Sequence, residues 1–424
     1  MWYFLPVVDF LIPSYTMPSF NTRWVWSQLG RDQSAALQKG ESLRALYLDN
    51  AATSWPKPSS VPRAMSAAIR LGGGNPGRSG HAKSIQAGRT VLRTRELLAE
   101  LFRAPDPSRI VFTKNATEAL NIVLFGLLRP GDRVLATSME HNSVLRPLAA
   151  LARMGVVVDF VEAGRDGRVS PQEFAVRLGA GARLAVVTHA SNVTGTVNDI
   201  AAFCAVCKER GVPLLVDAAQ SAGCIPIDLE QLPVDYLAFS GHKGLLGPQG
   251  TGALFVRHEV DLPPFTRGGT GSLSDQEDQP EFLPYRFESG TLNVPGIAGL
   301  GEGVSYLLQR SVESVAAHDR RLRETFLTAL AGDQRVMVFG GAQSIPHTGV
   351  VSVRLNAVSP SEAGEKLERQ FGILTRIGLH CAPRAHRTIG TFPDGTVRLS
   401  WGPFTRERDM ERAARALIAI AGSK

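Results

Sequence analysis

Seven short apolar runs, with helical patterns in most of the gaps between them, limit most strongly how this chain can fold. They fall at 110–113, 133–137, 156–161, 184–188, 213–216, 236–239 and 252–256. Strands alternating with helices build a largely parallel sheet covered by helices. The expectation is an α/β fold with a seven-stranded main sheet. In open sheets of this kind ligands bind beyond the carboxyl ends of the strands. Residues just after these runs are therefore the first candidates for chemistry.

Around the alternation, helices are expected over 61–71 and 83–102, with a Gly-rich loop at 72–80 and an extended loop over 267–293. A single long helix over 296–330 leads to a smaller α/β part. That part holds strands 349–355 and 396–400 and helices 361–371 and 407–421. The expected division is 46–300 for a large domain and 301–424 for a small one. Residues 1–45, with Pro6, Asp9, Pro13, Pro18, Trp24 and Trp26, form an N-terminal extension with no assigned fold. They lack a basic leading region and make a poor signal peptide.

The chain has 424 residues, 44% hydrophobic and 20% charged, which is ample for a large core. Its net charge is +7, but no block of five Lys or Arg occurs. That describes a generally basic surface rather than a nucleic-acid partner. No apolar run of 18 residues exists, so no membrane span is expected. The four cysteines are Cys204, Cys207, Cys224 and Cys381. Cys204 and Cys207 stand as C-x-x-C without a second pair to complete a zinc site, and no metal is expected. They read as core positions of a helix. Few cysteines and no secretory signal fit a reducing cytoplasm.

The run Leu237-Ala238-Phe239 ends in Ser240-Gly241-His242-Lys243. A lysine at the edge of a core loses solvation, its ammonium form is disfavoured, and the amine becomes a nucleophile able to form a Schiff base with an aldehyde. Upstream, Leu214-Leu215-Val216 ends in Asp217-Ala218-Ala219-Gln220-Ser221. An acid at a strand end is a counter-ion for a protonated pyridine nitrogen. Pyridoxal 5'-phosphate (PLP) needs such an acid together with such a lysine. Lys114-Asn115-Ala116-Thr117 follows a strand and opens a helix. It is either an ordinary cap at Asn115 or Thr117 or an anion cup.

Val-Asp-Ala-Ala-Gln-Ser followed by Ser-Gly-His-Lys resembles the class V aminotransferase group of fold-type I PLP enzymes, and most closely the cysteine desulfurases. The resemblance runs from about Tyr47 to near the C-terminus. It implies that Lys243 carries PLP, Asp217 meets the ring nitrogen and Gln220 the phenolic oxygen. The N–H groups of Ala116 and Thr117, with Ser240 and His242, would hold the phosphate. His141 would stack on the ring and handle protons. Asn192 would lie near the cofactor oxygen and the substrate carboxylate, which Arg398 would clamp. Thr291 and Arg78 would serve the neighbouring subunit of a homodimer.

Arg376-Ile377-Gly378-Leu379-His380-Cys381-Ala382 resembles the desulfurase group with a short cysteine loop. It implies that Cys381 takes sulfur from L-cysteine as a persulfide, releases L-alanine and passes sulfur to an acceptor protein, as iron–sulfur cluster assembly requires. A thiolate is the reacting form, so positive charge from Arg376 or His380 is expected beside it. The loop is flanked by Gly378 and Pro383 and can swing. Selenocysteine lyase would use the same residues, and L-selenocysteine is the alternative substrate. A class V aminotransferase or lyase acting on another amino acid would not need Cys381. A scaffold without turnover would not need the full lysine, aspartate, histidine and arginine set.

Overall fold

A two-residue strand, β1 (Leu46–Tyr47), leads a chain that then alternates helix and strand. The computed structural model describes residues 45–179, 181–257, 262–341 and 344–422. The expected N-terminal extension, apart from its last residue, lies outside the described residues. Helix α1 (Ser60–Ala67) runs into a π-helical turn at Ala68–Gly72, and α2 spans Ala82–Phe102. Next come β2 (Ile110–Thr113), α3 (Ala116–Leu127), β3 (Arg133–Thr137), α4 (Asn142–Arg153) and β4 (Val157–Val161). They are followed by α5 (Pro171–Leu178), β5 (Ala182–Thr188), α6 (Ile200–Arg210), β6 (Leu214–Asp217), β7 (Tyr236–Ser240) and β8 (Gly252–Val256). Between 262 and 293 the chain is neither helix nor strand.

These strands form one seven-stranded sheet in the order β2-β8-β7-β6-β5-β3-β4. β8 is antiparallel to both neighbours, and the remaining pairs are parallel. Leu135, Val187, Val216 and Phe239 pack on one face, and Val134, Val186, Leu215 and Ala238 pack on the other. Burial on both faces explains why the runs are continuously apolar rather than alternating.

Helices α7 (Val294–Arg310) and α8 (Val312–Leu330) come next. The single helix expected over 296–330 is thus corrected to two. Ser311 sits at φ 64°, a left-handed value that a right-handed helix cannot carry through. Its hydroxyl instead caps α8, accepting from the Ser314 N–H at 3.1 Å. Then follow β9 (Val336–Phe339), β10 (Val350–Leu355), α9 (Pro360–Phe371), β11 (Ile373–Leu374) and β12 (Arg376–Gly378). Helix α10 (Pro383–Thr388), β13 (Thr396–Ser400) and α11 (Glu407–Gly422) complete the described chain. The second sheet is antiparallel, in the order β12-β13-β10-β9, with its own core around Phe326, Leu367, Trp401, Met410 and Leu417. β1 pairs with β11.

Glu288 anchors the irregular 262–293 segment. Its carboxylate takes both terminal nitrogens of Arg95 at 2.9 Å and accepts from the Phe112 N–H at 2.7 Å. No described helix is long and apolar enough to cross a membrane.

Candidate active site

Strands β3, β5, β6 and β7 run in the same direction, so their carboxyl ends share one edge of the sheet. Register sets Thr188, Asp217 and Ala238 side by side there. Beyond that edge lies a cavity of about 260 Å³. Ala116, Thr117, His141, Asn192, Asp217, Gln220, Ser240, His242, Lys243 and Arg398 all line it. Ten of the residues singled out in the sequence are thus brought together. Cys381, Thr291 and Arg78 are not among the lining residues.

One end of the cavity is the start of α3. Asn115 caps that helix, accepting from the Glu118 N–H at 3.0 Å, while Glu118 accepts from the Lys114 N–H at 2.6 Å. The Ala116 N–H donates to the Ser240 hydroxyl at 3.1 Å. The Thr117 N–H has no protein partner among the described residues. A helix start with an open N–H attracts an anion. The imidazole Nδ1 of His242 is also buried without a partner.

Lys243 follows β7. Burial brings its ammonium down to about 8, and Arg398 and Arg376 push the same way against the opposing charge of Asp217. Asp217 is buried. Burial lifts its carboxyl, while the Ala219 N–H, donating at 2.9 Å, and Lys243 hold it down. A buried carboxylate beside a lysine of lowered pKa suits a cationic ring nitrogen. His141 accepts at Nδ1 from the Ser143 N–H at 3.0 Å and so caps α4. Burial and then the charge of Lys243 bring its imidazole down to about 3. The ring is neutral near pH 7, and because Nδ1 accepts, its proton sits on Nε2.

Gln220 donates to the Ala51 carbonyl at 3.0 Å. Asn192 donates through Nδ2 to the His380 carbonyl at 2.8 Å. Arg398 is 0% exposed, with Nη1 donating to the Asn192 carbonyl at 3.1 Å and Nη2 to Asp49 Oδ1 at 2.7 Å.

Cys381 is exposed, and Arg376 donates to its Sγ at 3.1 Å. Arg376 lines the cavity and stands opposite Arg398 in the register of β12 and β13. His380 does not supply positive charge. Burial and then Arg398 bring its imidazole down to about 2, and Nε2 pairs with the Thr396 hydroxyl at 2.9 Å. The loop is also less free than its flanking Gly and Pro imply. The His380 carbonyl is held by Asn192, and that of Cys381 by the Asn142 N–H at 2.8 Å. Burial pushes Cys204 and Cys207, both on α6, up to about 12, and lifts Cys224 as well. None of the three is poised to react as a thiolate.

Arg78 donates to the Gly269 carbonyl at 2.5 Å, and Thr291 accepts from Asn75 at 3.2 Å. Sequence reasoning missed Ser143 and Thr188 in the lining, and Glu140 behind it. Glu140 is fully buried and accepts from the Thr137 hydroxyl at 2.6 Å and the Thr188 N–H at 2.8 Å. An acid between Met139 and His141, just past an apolar run, was the available signal.

The donor set asks for a ligand with an aldehyde, a basic ring nitrogen and an anionic group, and PLP fits each. Lysine, aspartate, histidine and an open helix start around one cavity define an α/β enzyme of the PLP-dependent class. The family model for class-V aminotransferases matches residues 46–413. A probable cysteine desulfurase of Methanothermobacter thermautotrophicus is 35% identical over 383 residues, covering 89% of this chain and 95% of that protein. A cysteine desulfurase of Salmonella dublin is 32% identical, covering 88% and 93%. The solved apo cysteine desulfurase of Thermococcus onnurineus superposes with a TM-score of 0.84 at 30% identity, covering 90% and 95%. The chain belongs to the class-V aminotransferase family, among its cysteine desulfurases.

Proposed function

We propose that the protein converts L-cysteine to L-alanine and takes the sulfur onto Cys381 as a persulfide. The observation that carries this reading is the Cys381 thiol held by Arg376, a lining residue of the PLP-type cavity that stands opposite Arg398. PLP, when bound, supplies the electron sink for carbanion chemistry. The start of α3, Ser240 and His242 would hold its phosphate. Asp217 would meet the ring nitrogen, Gln220 the phenolic oxygen, and His141 the ring. Lys243 would anchor the aldehyde carbon and would move the proton at the substrate Cα. Arg398 and Asn192 orient the substrate carboxylate. The Cys381 thiolate attacks the substrate Sγ, a sulfur–sulfur bond forms, and the Cβ–Sγ bond breaks with its electron pair left on carbon. Protonation of that carbon gives alanine.

The protein works as a homodimer in which Arg78 and Thr291 serve the partner's cavity. The two sheets belong to lobes at 46–300 and 301–424. A cytoplasmic acceptor protein collects the persulfide sulfur, as iron–sulfur cluster assembly requires. The test is Cys381→Ser, which keeps the shape but not an ionisable thiol. The variant should retain bound cofactor and its visible absorbance yet release less than about 1% of the wild-type sulfide, in line with loss of a nucleophile. Mass spectrometry of the wild type after brief exposure to cysteine should find one added sulfur on the Cys381 peptide. Desulfuration by the Ser variant at the wild-type rate would overturn the reading.

A further inference from the structure

Asp49 has no part in the scheme above, yet it holds the arginine that scheme relies on. It follows β1, bridges to Ser400 at the end of β13, and accepts from Arg398 Nη2 at 2.7 Å. The turn that presents it is fixed from both sides. The Tyr47 hydroxyl donates to the Thr53 carbonyl at 2.8 Å and the Asn50 amide to the Ser400 carbonyl at 3.2 Å. Arg398 is fully buried, so bulk water screens its charge poorly. A guanidinium carries five N–H donors. The protein takes two of them, one on each terminal nitrogen, and Nε is buried without a partner. Arg398 is therefore half committed, with donors left for an incoming carboxylate and part of its charge already balanced.

We infer that Asp49 sets how tightly Arg398 holds the carboxylate of substrate and product, as a specificity-determining residue acting through the arginine. The inference rests on the reading of Arg398 as the carboxylate clamp. An amino acid bound there brings a second negative charge onto a guanidinium that already has one. Repulsion between two carboxylates sharing a buried cation weakens binding, and weakens it equally for alanine leaving as for cysteine arriving. A ligand without a carboxylate feels nothing of this. The enzyme thereby avoids holding its product too firmly.

The experiment uses the loaded enzyme with Asp49→Asn, which keeps an oxygen to accept from Nη2 but removes the charge. Binding of L-alanine and of ethylamine, which differ only in the carboxylate, is read from the visible absorbance of the bound cofactor. KM and kcat for L-cysteine are measured alongside. The constants for alanine and cysteine should fall roughly five- to tenfold, the size of a charge–charge contact in which one carboxylate, that of Asp49, is partly exposed to water. The constant for ethylamine should stay put. If Asp49→Asn does not fold, Asp49→Ser removes the same charge and should shift alanine in the same direction. Unchanged or weaker alanine binding overturns the inference, and so does an equal shift for ethylamine. Arg398→Ala separates the two readings. If it leaves the preference for alanine over ethylamine intact, the clamp itself is wrong. If it abolishes that preference while Asp49→Asn does not alter it, only the role of Asp49 fails.

Discussion

A carboxyl group sealed behind the cavity controls part of the protein's response to pH. Burial, reinforced by the charge of Asp217, lifts Glu140 to about 8 from an ordinary 4.5, so it is protonated in the folded protein at neutral pH. In the unfolded chain the same group ionises near its ordinary value. Between those two values the folded state holds the extra proton, so stability is full below pH about 4.5 and declines as pH rises through about 8. Asp319, buried and lifted to about 8, adds a slope of the same sign. Glu140→Gln keeps an oxygen for Thr137 and Thr188 but cannot ionise. Denaturant unfolding should show the variant gaining on the wild type between pH 5 and 8.5, by an amount on the order of 4 kcal/mol. Equal slopes for the two proteins would mean that Glu140 is already ionised inside the fold.

The anion cup depends on how closely two elements approach. Gly252 begins β8, where an added Cβ would lie 2.6 Å from the Asn115 Cα and 2.8 Å from the Phe239 carbonyl oxygen. Gly252→Ala must push the start of α3 off β7. We expect a cost of about 1–3 kcal/mol in thermal unfolding of the apoprotein. Cofactor affinity, followed by visible absorbance on titration, should drop roughly tenfold as the open N–H shifts. Unchanged affinity would show that the cup tolerates the displacement. At this scale the sequence was read well where burial was deep. The seven apolar runs were found to within two residues because both of their faces are covered. β11 and β12, of two or three residues each, are too short to show any period. The six residues of α10 hide equally well. The break at Ser311 escaped because the apolar pattern continues across it. Most cavity residues were legible because they end or follow a strand or open a helix, while Arg398 lies inside β13. Asp49 was not legible, since its importance lies in Arg398, 349 positions along the chain.

The whole molecule is where Arg78 and Thr291 acquire a purpose. They sit on the Gly-rich loop and the irregular segment that Glu288 fastens to α2 and β2. If they serve a partner's cavity, Lys243→Ala and Arg78→Ala are each inactive alone. Mixed under conditions that exchange subunits, they should regain a substantial part of wild-type activity, because each hybrid holds one site with both residues intact. Sedimentation should show a dimer at working concentration. No recovery on mixing would mean that Arg78 acts in its own subunit's site. The stretch from β1 to Lys57 has a different reach. It pairs with β11, meets Arg398 through Asp49 and Gln220 through the Ala51 carbonyl, and grips the His242 carbonyl through Ser54 and Lys57. Its contact with Arg398 spans 349 positions of the chain. A ribosome makes this stretch 349 positions before its arginine partner. The seven-stranded sheet can therefore close while the nascent chain still lacks the far side of its pocket. The site is finished only once Arg398 has been made, so a product truncated before β13 can close its seven-stranded sheet and still be unable to grip an amino acid.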